Sequence, residues 1–452
     1  MTKMLGLLSF NKIQNRILTF NPAHFAIFRG MLWIALFIFV GKIAGAAKEM
    51  AIAYRYGISN QVDAYLFVFN IVVFPVSVWF SILSYVLVPL AAKIRENAPA
   101  QLQRFRAELL GFSIALGLNL ALLAWFILPA LMRSSWIGLA KSTVDIAIGL
   151  IPLMIVLIPL GLLVSLFSAW IVSSARQANT LIESVPALII LITVLLWPLG
   201  GAQALLWGTV IGFSLQVLVL VILLAKKNEI EWPSFQQKST QWLVFWQGFG
   251  VMLLGSGLGS FSGIIDQFFA AQLDPGAITT ISYANRILAL LLGLGATVIS
   301  RATLPVFSQM QSQSDKEVKR VAMFWFRIMM ALSVVMLLVS WWLAPWVVKL
   351  LFERGAFMAS DTQVVKEAFR YGLFQLPFYL PSLVLVALLA SHGRQGFIAI
   401  SGATNLFVKA AANYLLVPVL GLNAILLSSG IMYLVSLVLL YIFANHFLNA
   451  NE

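Results

Sequence analysis

The chain has 452 residues, of which 61% are apolar, only 10% are charged and none is cysteine. Soluble domains carry about 25% charged residues, so this composition excludes a water-soluble globule, and without cysteine there is neither a disulfide framework nor a thiolate metal site. The formal net charge of +13 is assigned to loops flanking membrane spans, because no basic soluble module interleaved with aromatic residues exists to bind nucleic acid.

Crossing a hydrocarbon core of roughly 30 Å takes about 20 helical residues. Apolar runs of that length fall at 26–54, 62–92, 107–132, 144–174, 181–198, 202–225, 241–272, 277–308, 321–350, 364–391, 395–417 and 420–446. The expected fold is an all-α polytopic membrane protein of about twelve transmembrane helices. Lys93, Arg95, Arg104 and Arg106, then Lys226, Lys227 and Lys238, then Lys316, Lys319 and Arg320 all fall in even-numbered connections. With Lys3, Lys12, Arg16 and Arg29 ahead of or at the start of the first run, and Arg176 and Arg394, sixteen positive residues stand on that side against six on the other. Loops rich in Lys and Arg stay in the cytoplasm, so both termini are expected there.

A charge near the bilayer centre costs about 2.5–3.5 kcal/mol, which makes ionisable residues inside apolar runs the candidates for function. In the first run Lys42 and Glu49 share one helix face and are placed to pair, with Lys48 on a neighbouring face. Asp63 stands at the start of the second run, where capping a helix is the simpler role. Asp266 in the seventh run and Arg286 in the eighth flank the Asp274-Pro275-Gly276 turn. At 1.5 Å per residue they lie roughly 12 and 15 Å below it, so they are expected to sit beside one another. Asn405, Lys409 and Asn413 recur every four residues along the eleventh run, a polar stripe expected to face inward. Pro75, Pro152, Pro159, Pro377 and Pro381 mark places where spans are expected to bend.

The chain repeats itself with a shift of about half its length. Glu49 and Asp266 each precede a turn by eight residues, at a shift of 217. Pro89 and Pro305, Arg176-Gln177 and Arg394-Gln395, and Pro198 and Pro418 follow at 216, 218 and 220. Six spans per half return the second copy in the same orientation, giving two parallel six-helix lobes around a central cavity. The expected division is an N-terminal lobe at 1–225, a cytoplasmic linker at 226–240 and a C-terminal lobe at 241–452.

The three histidines, His24, His392 and His446, are scattered, and no GxxxxGK[ST] pattern occurs. Neither hydrolytic metal chemistry nor ATP hydrolysis is therefore expected within this chain, and it is read as a transporter rather than an enzyme, with no cofactor.

Gly41-Lys42-Ile43-Ala44-Gly45, Lys48-Glu49, Tyr54-Arg55-Tyr56-Gly57 and Asp63-Ala64-Tyr65 resemble the opening signature of the MurJ (MviN) lipid II flippases. Asp266-Gln267-Phe268-Phe269-Ala270, Tyr283-Ala284-Asn285-Arg286 and Leu351-Phe352-Glu353-Arg354-Gly355-Ala356-Phe357 resemble that family in the second half. The resemblance implies membership of a superfamily of exporters with two six-helix lobes around a cavity. It implies an undecaprenyl-diphosphate-linked saccharide as substrate, met by cationic positions at Lys42, Lys48 and Arg286 with an acidic one at Glu49. The family usually has fourteen helices, two more than the runs counted here. It can also hold a sodium ion between helices seven and eleven; Asp266 and Asn405 would supply oxygens, but Lys409 stands where a second carboxylate would complete the set. An ammonium offers donors only, so no sodium site is expected, and Asp63, Asp266, Asn405 and Lys409 are assigned to coupling or cavity roles.

The expected function is transfer of a polyprenyl-diphosphate-linked saccharide, lipid II or another surface-polysaccharide precursor, across the bacterial inner membrane by alternating access. The alternatives are a drug or metabolite antiporter of the same superfamily and a non-transporting scaffold for cell-wall synthesis. Partners would be the bilayer, the lipid-linked saccharide and enzymes of cell-wall or polysaccharide synthesis.

Overall fold

The computed structural model describes residues 41–97, 99–174, 182–310 and 315–450. The start of the first run, the leader positives Lys3, Lys12, Arg16 and Arg29, and Arg176 lie outside the described residues. Helix α1 (41–56) leads into α2a (Asn60–Ile82), which passes through a π-helical turn at Leu83–Leu87 into α2b (Val88–Asn97). Then come α3 (Pro99–Arg133), α4a (Lys141–Met154), α4b (Leu157–Ser173), α5 (Val185–Leu196) and α6 (Ala202–Ala225). The second half holds α7 (Gln241–Ala271), α8 (Ala277–Gln309), α9 (Asp315–Phe352), α10a (Ala359–Leu373), α10b (Leu376–Ser391), α11 (Gln395–Leu420) and α12 (Leu422–Ala450). No strand occurs among the described residues.

Eight of these helices are long and apolar enough to cross a membrane, nine when α4a and α4b count as one bent span. With α1, α5 and α7 they occupy the twelve expected positions. The two halves of the fourth span meet at 50°. Pro159 explains the break, since it has no N–H to donate to the carbonyl one turn back and its ring crowds that carbonyl. Pro377 sits at the start of α10b and marks the matching break in the tenth span. Pro75, by contrast, is accommodated inside α2a without ending it.

Helix packing repeats between the halves. α2 packs on α4a and α4b as α8 packs on α10a and α10b; α3 lies on α4b as α9 lies on α10b; α5 pairs with α6 as α11 pairs with α12. Burial repeats too: the apolar windows of α3 and α9 are each 11% buried, and those of α2 and α8 are each 50% buried. The third and ninth spans are therefore the outer, lipid-facing staves, and the second and eighth line the interior, where α2 meets α7 and α8.

The segment 226–240 is tied to α3. Ser234 N–H donates to the Ala107 carbonyl at 2.8 Å, and buried Glu108 accepts from Ser239 N–H at 3.0 Å and Trp242 Nε1 at 2.8 Å. Trp242, Phe245, Trp246 and Phe249 of α7 then interlock with Trp79 of α2a and Phe105 and Phe112 of α3, ring centroids 5.0–6.3 Å apart. The first turns of α7 thus rest on helices of the first half.

Candidate functional site

Gly41, Gly45 and Ala46 thin one face of α1, and the space they leave against α8 and the start of α5 is a cleft of about 410 Å³. Lys42, Lys48 and Glu49 line it from α1, Arg286 and Leu290 from α8, Glu183 and Ser184 from the residues before α5. A second cavity of about 420 Å³ lies between α2a, α7 and α8, lined by Asn70, Ser77, Asp266, Gln267, Asn285 and again Arg286. Arg286 is common to both and stands where they adjoin.

Glu49 is buried at 9% exposure and binds two cations through one oxygen: Lys48 Nζ at 2.8 Å and Arg286 Nε at 3.0 Å. Two expected pairings are corrected here. Arg286 pairs with Glu49 of α1 rather than Asp266 of α7, although Asp266 and Arg286 do line one cavity as their depths required. Glu49 is met by its chain neighbour Lys48, while Lys42 is exposed at the cleft wall. Helical spacing placed Lys42 and Glu49 on one face, but the long Lys48 side chain reaches the carboxylate first. Sequence reasoning missed Glu183, a carboxylate at the head of the fifth apolar run that lines the same cleft. Its signal was the one that flagged Glu49: an ionisable residue inside an apolar run.

Asp266 is neutralised elsewhere. Lys409 of α11 is buried at 1% exposure and lies with Nζ 2.9 Å from Asp266 Oδ1, and Asn413 Nδ2 donates to the same oxygen at 3.3 Å. Asn405, one turn before Lys409, donates from Nδ2 to Ser436 Oγ of α12 at 3.4 Å. The polar stripe of α11 therefore faces the interior, as expected.

Asp63 belongs to neither cavity. Its Oδ2 accepts from Gly276 N–H at 2.5 Å, and its Oδ1 accepts from Thr279 N–H at 2.7 Å and Thr279 Oγ1 at 2.5 Å. A carboxylate on α2a so caps the N-terminus of α8, satisfying amide donors that the helix leaves open and meeting the positive end of its dipole. Tyr283 Oη donates to the Gly57 carbonyl at 3.1 Å, and Ala356 N–H donates to the Tyr54 carbonyl at 2.8 Å. Gly57 has a φ of +55°, and a Cβ there would meet the Ala356 carbonyl oxygen at 2.5 Å. These bonds close the end of the molecule opposite the 226–240 segment.

In charge, three cations and two carboxylates line the first cleft. Such a surface has the chemistry to hold oxyanions through charge-assisted hydrogen bonds, with the Arg286 guanidinium half exposed beyond its Nε contact to Glu49.

A family model described as "Lipid II flippase MurJ" matches residues 52–450. A probable lipid II flippase MurJ of Buchnera aphidicola subsp. Baizongia pistaciae is 23% identical over 369 residues, covering 79% of this chain and 72% of that protein. One of Bdellovibrio bacteriovorus is 29% identical over 249 residues, covering 54% of this chain and 47% of its own length. Among solved structures, "Lipid II flippase MurJ, inward closed conformation" superposes with a TM-score of 0.79 at 17% identity, covering 92% of this chain and 87% of that one. An inward-facing MATE-family multidrug transporter of the MOP superfamily superposes with a TM-score of 0.74 at 15% identity, covering 91% and 95%. The structural likenesses give the shared fold, and the family match over nearly the whole described chain gives the kinship: this multi-pass membrane protein belongs to the MurJ family.

Proposed function

We propose that this chain is a flippase that carries a polyprenyl-diphosphate-linked saccharide, lipid II or another surface-polysaccharide precursor, from the cytoplasmic to the outer leaflet of the bacterial inner membrane. The observation that carries this reading is the cleft in which Lys42, Lys48 and Arg286 gather around Glu49. A diphosphate brings charge into a low-dielectric interior, where it must be paired. Arg286 and Lys48 can exchange Glu49 for phosphate oxygens without leaving the carboxylate unpartnered, since either cation can remain with it. Lys42 adds a third positive charge at the wall, and the adjoining cavity gives the saccharide amide and hydroxyl partners in Asn70, Ser77 and Asn285. No bond is made or broken in the cargo, so the role is transport rather than catalysis.

On this reading 1–225 and 241–452 are the two lobes that rock about the cleft, with 226–240 as their cytoplasmic linker and both termini in the cytoplasm. Synthesis enzymes for the lipid-linked saccharide act on either side of it. An antiporter of cationic drugs would need a cleft with an excess of carboxylates, the opposite of this one.

The test is reconstitution in liposomes with a fluorescent undecaprenyl-diphosphate disaccharide. Wild-type protein should expose inner-leaflet probe to an external quencher, and Arg286→Ala should abolish that while melting like wild type. A wild type that leaves the probe in place but exchanges cationic drugs for protons would overturn the proposal.

A further inference from the structure

Lys409 is a primary amine sealed inside the second half of the bundle, held by a carboxylate and a hydroxyl oxygen. Its Nζ lies 2.9 Å from Asp266 Oδ1 and donates to Ser429 Oγ of α12. Asn405 and Asn413 stand one helical turn to either side of it, and the Oδ1 atoms of both are buried without a hydrogen-bond partner. A carboxylate and a hydroxyl, with amide side chains one helical turn to either side, are ligand types of an oxygen-ligand cation site, the kind the family resemblance assigns to sodium between helices seven and eleven. The residues present do not fit a sodium ion, because any ion touching Asp266 and Ser429 would sit against the ammonium that already holds both.

We propose that Lys409 is a built-in replacement for a bound metal ion: the protein takes no sodium at this site, and the tethered ammonium supplies permanently the positive charge that joins α7, α11 and α12. A cage so built becomes a true cation site once the amine is removed. Lys409→Ala opens a void the length of the lost side chain, edged by Asp266 and Ser429. Sodium or methylammonium should then enter it, while choline is too large.

The experiment is thermal melting of the purified full chain in detergent, at constant ionic strength, in choline, sodium or methylammonium chloride, together with equilibrium binding of radioactive sodium. Wild type should melt alike in all three salts and bind no sodium saturably. Lys409→Ala should melt lower in choline and recover by about 2–4 °C in saturating sodium or methylammonium. Lys409→Met, which fills the void without charge, should melt lower than wild type and gain nothing from any salt. Saturable sodium binding by wild type, a Lys409→Met variant as stable as wild type, or a folded Lys409→Ala indifferent to all three cations would each overturn the proposal. If Lys409→Ala does not fold, the wild-type binding and the Lys409→Met melt decide. No cargo is present in the assay, so failure of the flippase reading would not change its outcome.

Discussion

Asp63 accepts three hydrogen bonds from the other half of the chain, and the N-terminal amides of α8 are otherwise met by backbone, Ala277 N–H donating to the Asp274 carbonyl. Losing a helix cap costs about 0.5–2 kcal/mol, and leaving a buried donor unpaired costs about 1–3 kcal/mol. Asp63→Ala is therefore expected to destabilise the protein by roughly 2–3 kcal/mol, and Asp63→Asn, which keeps one acceptor oxygen, by less. Thermal melting of the two variants checks the order; a reversed order would remove the cap from the account. At this scale the sequence showed which charged residues the fold buries or draws into clefts better than which ones meet. A charge in an apolar run is conspicuous because the bilayer penalises it, so Glu49, Asp266, Arg286 and Lys409 stood out. Their partners depend on how far a long side chain reaches across a helix interface. Spacing along one helix carries no information on that, so Arg286 was matched to Asp266 instead of Glu49.

Among the elements, α3 and the 226–240 segment make the contact that sequence order hides. A Cβ on Gly111 would run into the Ser234 carbonyl, and backbone cannot yield as a flexible side-chain tip can. Gly111→Val should lift the segment from α3 and weaken the grip of Glu108 on Ser239 and Trp242. Trypsin should then cut after Lys238 several-fold faster than in wild type, with no change after Lys93 on α2b as an internal reference. Equal cleavage would mean that the segment is held by its ends alone. The break in the fourth span was legible because proline acts through its own missing donor. The π-turn at Leu83–Leu87 was not, since no residue in Leu-Ser-Tyr-Val-Leu demands it. Nor was the docking of α7 on α2 and α3: the linker makes Trp242 look like the start of the second half, whereas the aromatic cluster binds it to the first.

For the molecule as a whole, the positive-residue asymmetry and the path of α7 make one joint statement. α7 runs 31 residues from Gln241 to Ala271, which at 1.5 Å per residue is about 46 Å, enough to carry the chain across the bilayer. Lys227 and Gln272 should therefore face opposite compartments. In intact cells, a membrane-impermeant thiol reagent should label Gln272→Cys and spare Lys227→Cys; the reverse pattern would invert the topology and the direction of transport. The duplication was legible because landmarks survive at shifts of 216 to 220 residues, and the paired burial of α3 with α9 and of α2 with α8 is its three-dimensional counterpart.

Glu49 and Asp266 occupy equivalent stations 217 residues apart, yet one is answered by Lys48 and Arg286 at an open cleft and the other by a sealed lysine. An acidic residue stands at each station, and their cations come from different elements: Lys48 of α1 and Arg286 of α8 for Glu49, Lys409 of α11 for Asp266. The two stations can consequently drift independently. On the proposed reading, exchanging Lys42 or Lys48 should alter which headgroup is welcome without disturbing the contacts around Lys409. With Lys409 standing in for an ion, exchanging it should change what the second half asks of its ionic surroundings without altering the cargo. On that reading, descendants of such a chain change their cargo and their ionic dependence in separate single-residue steps.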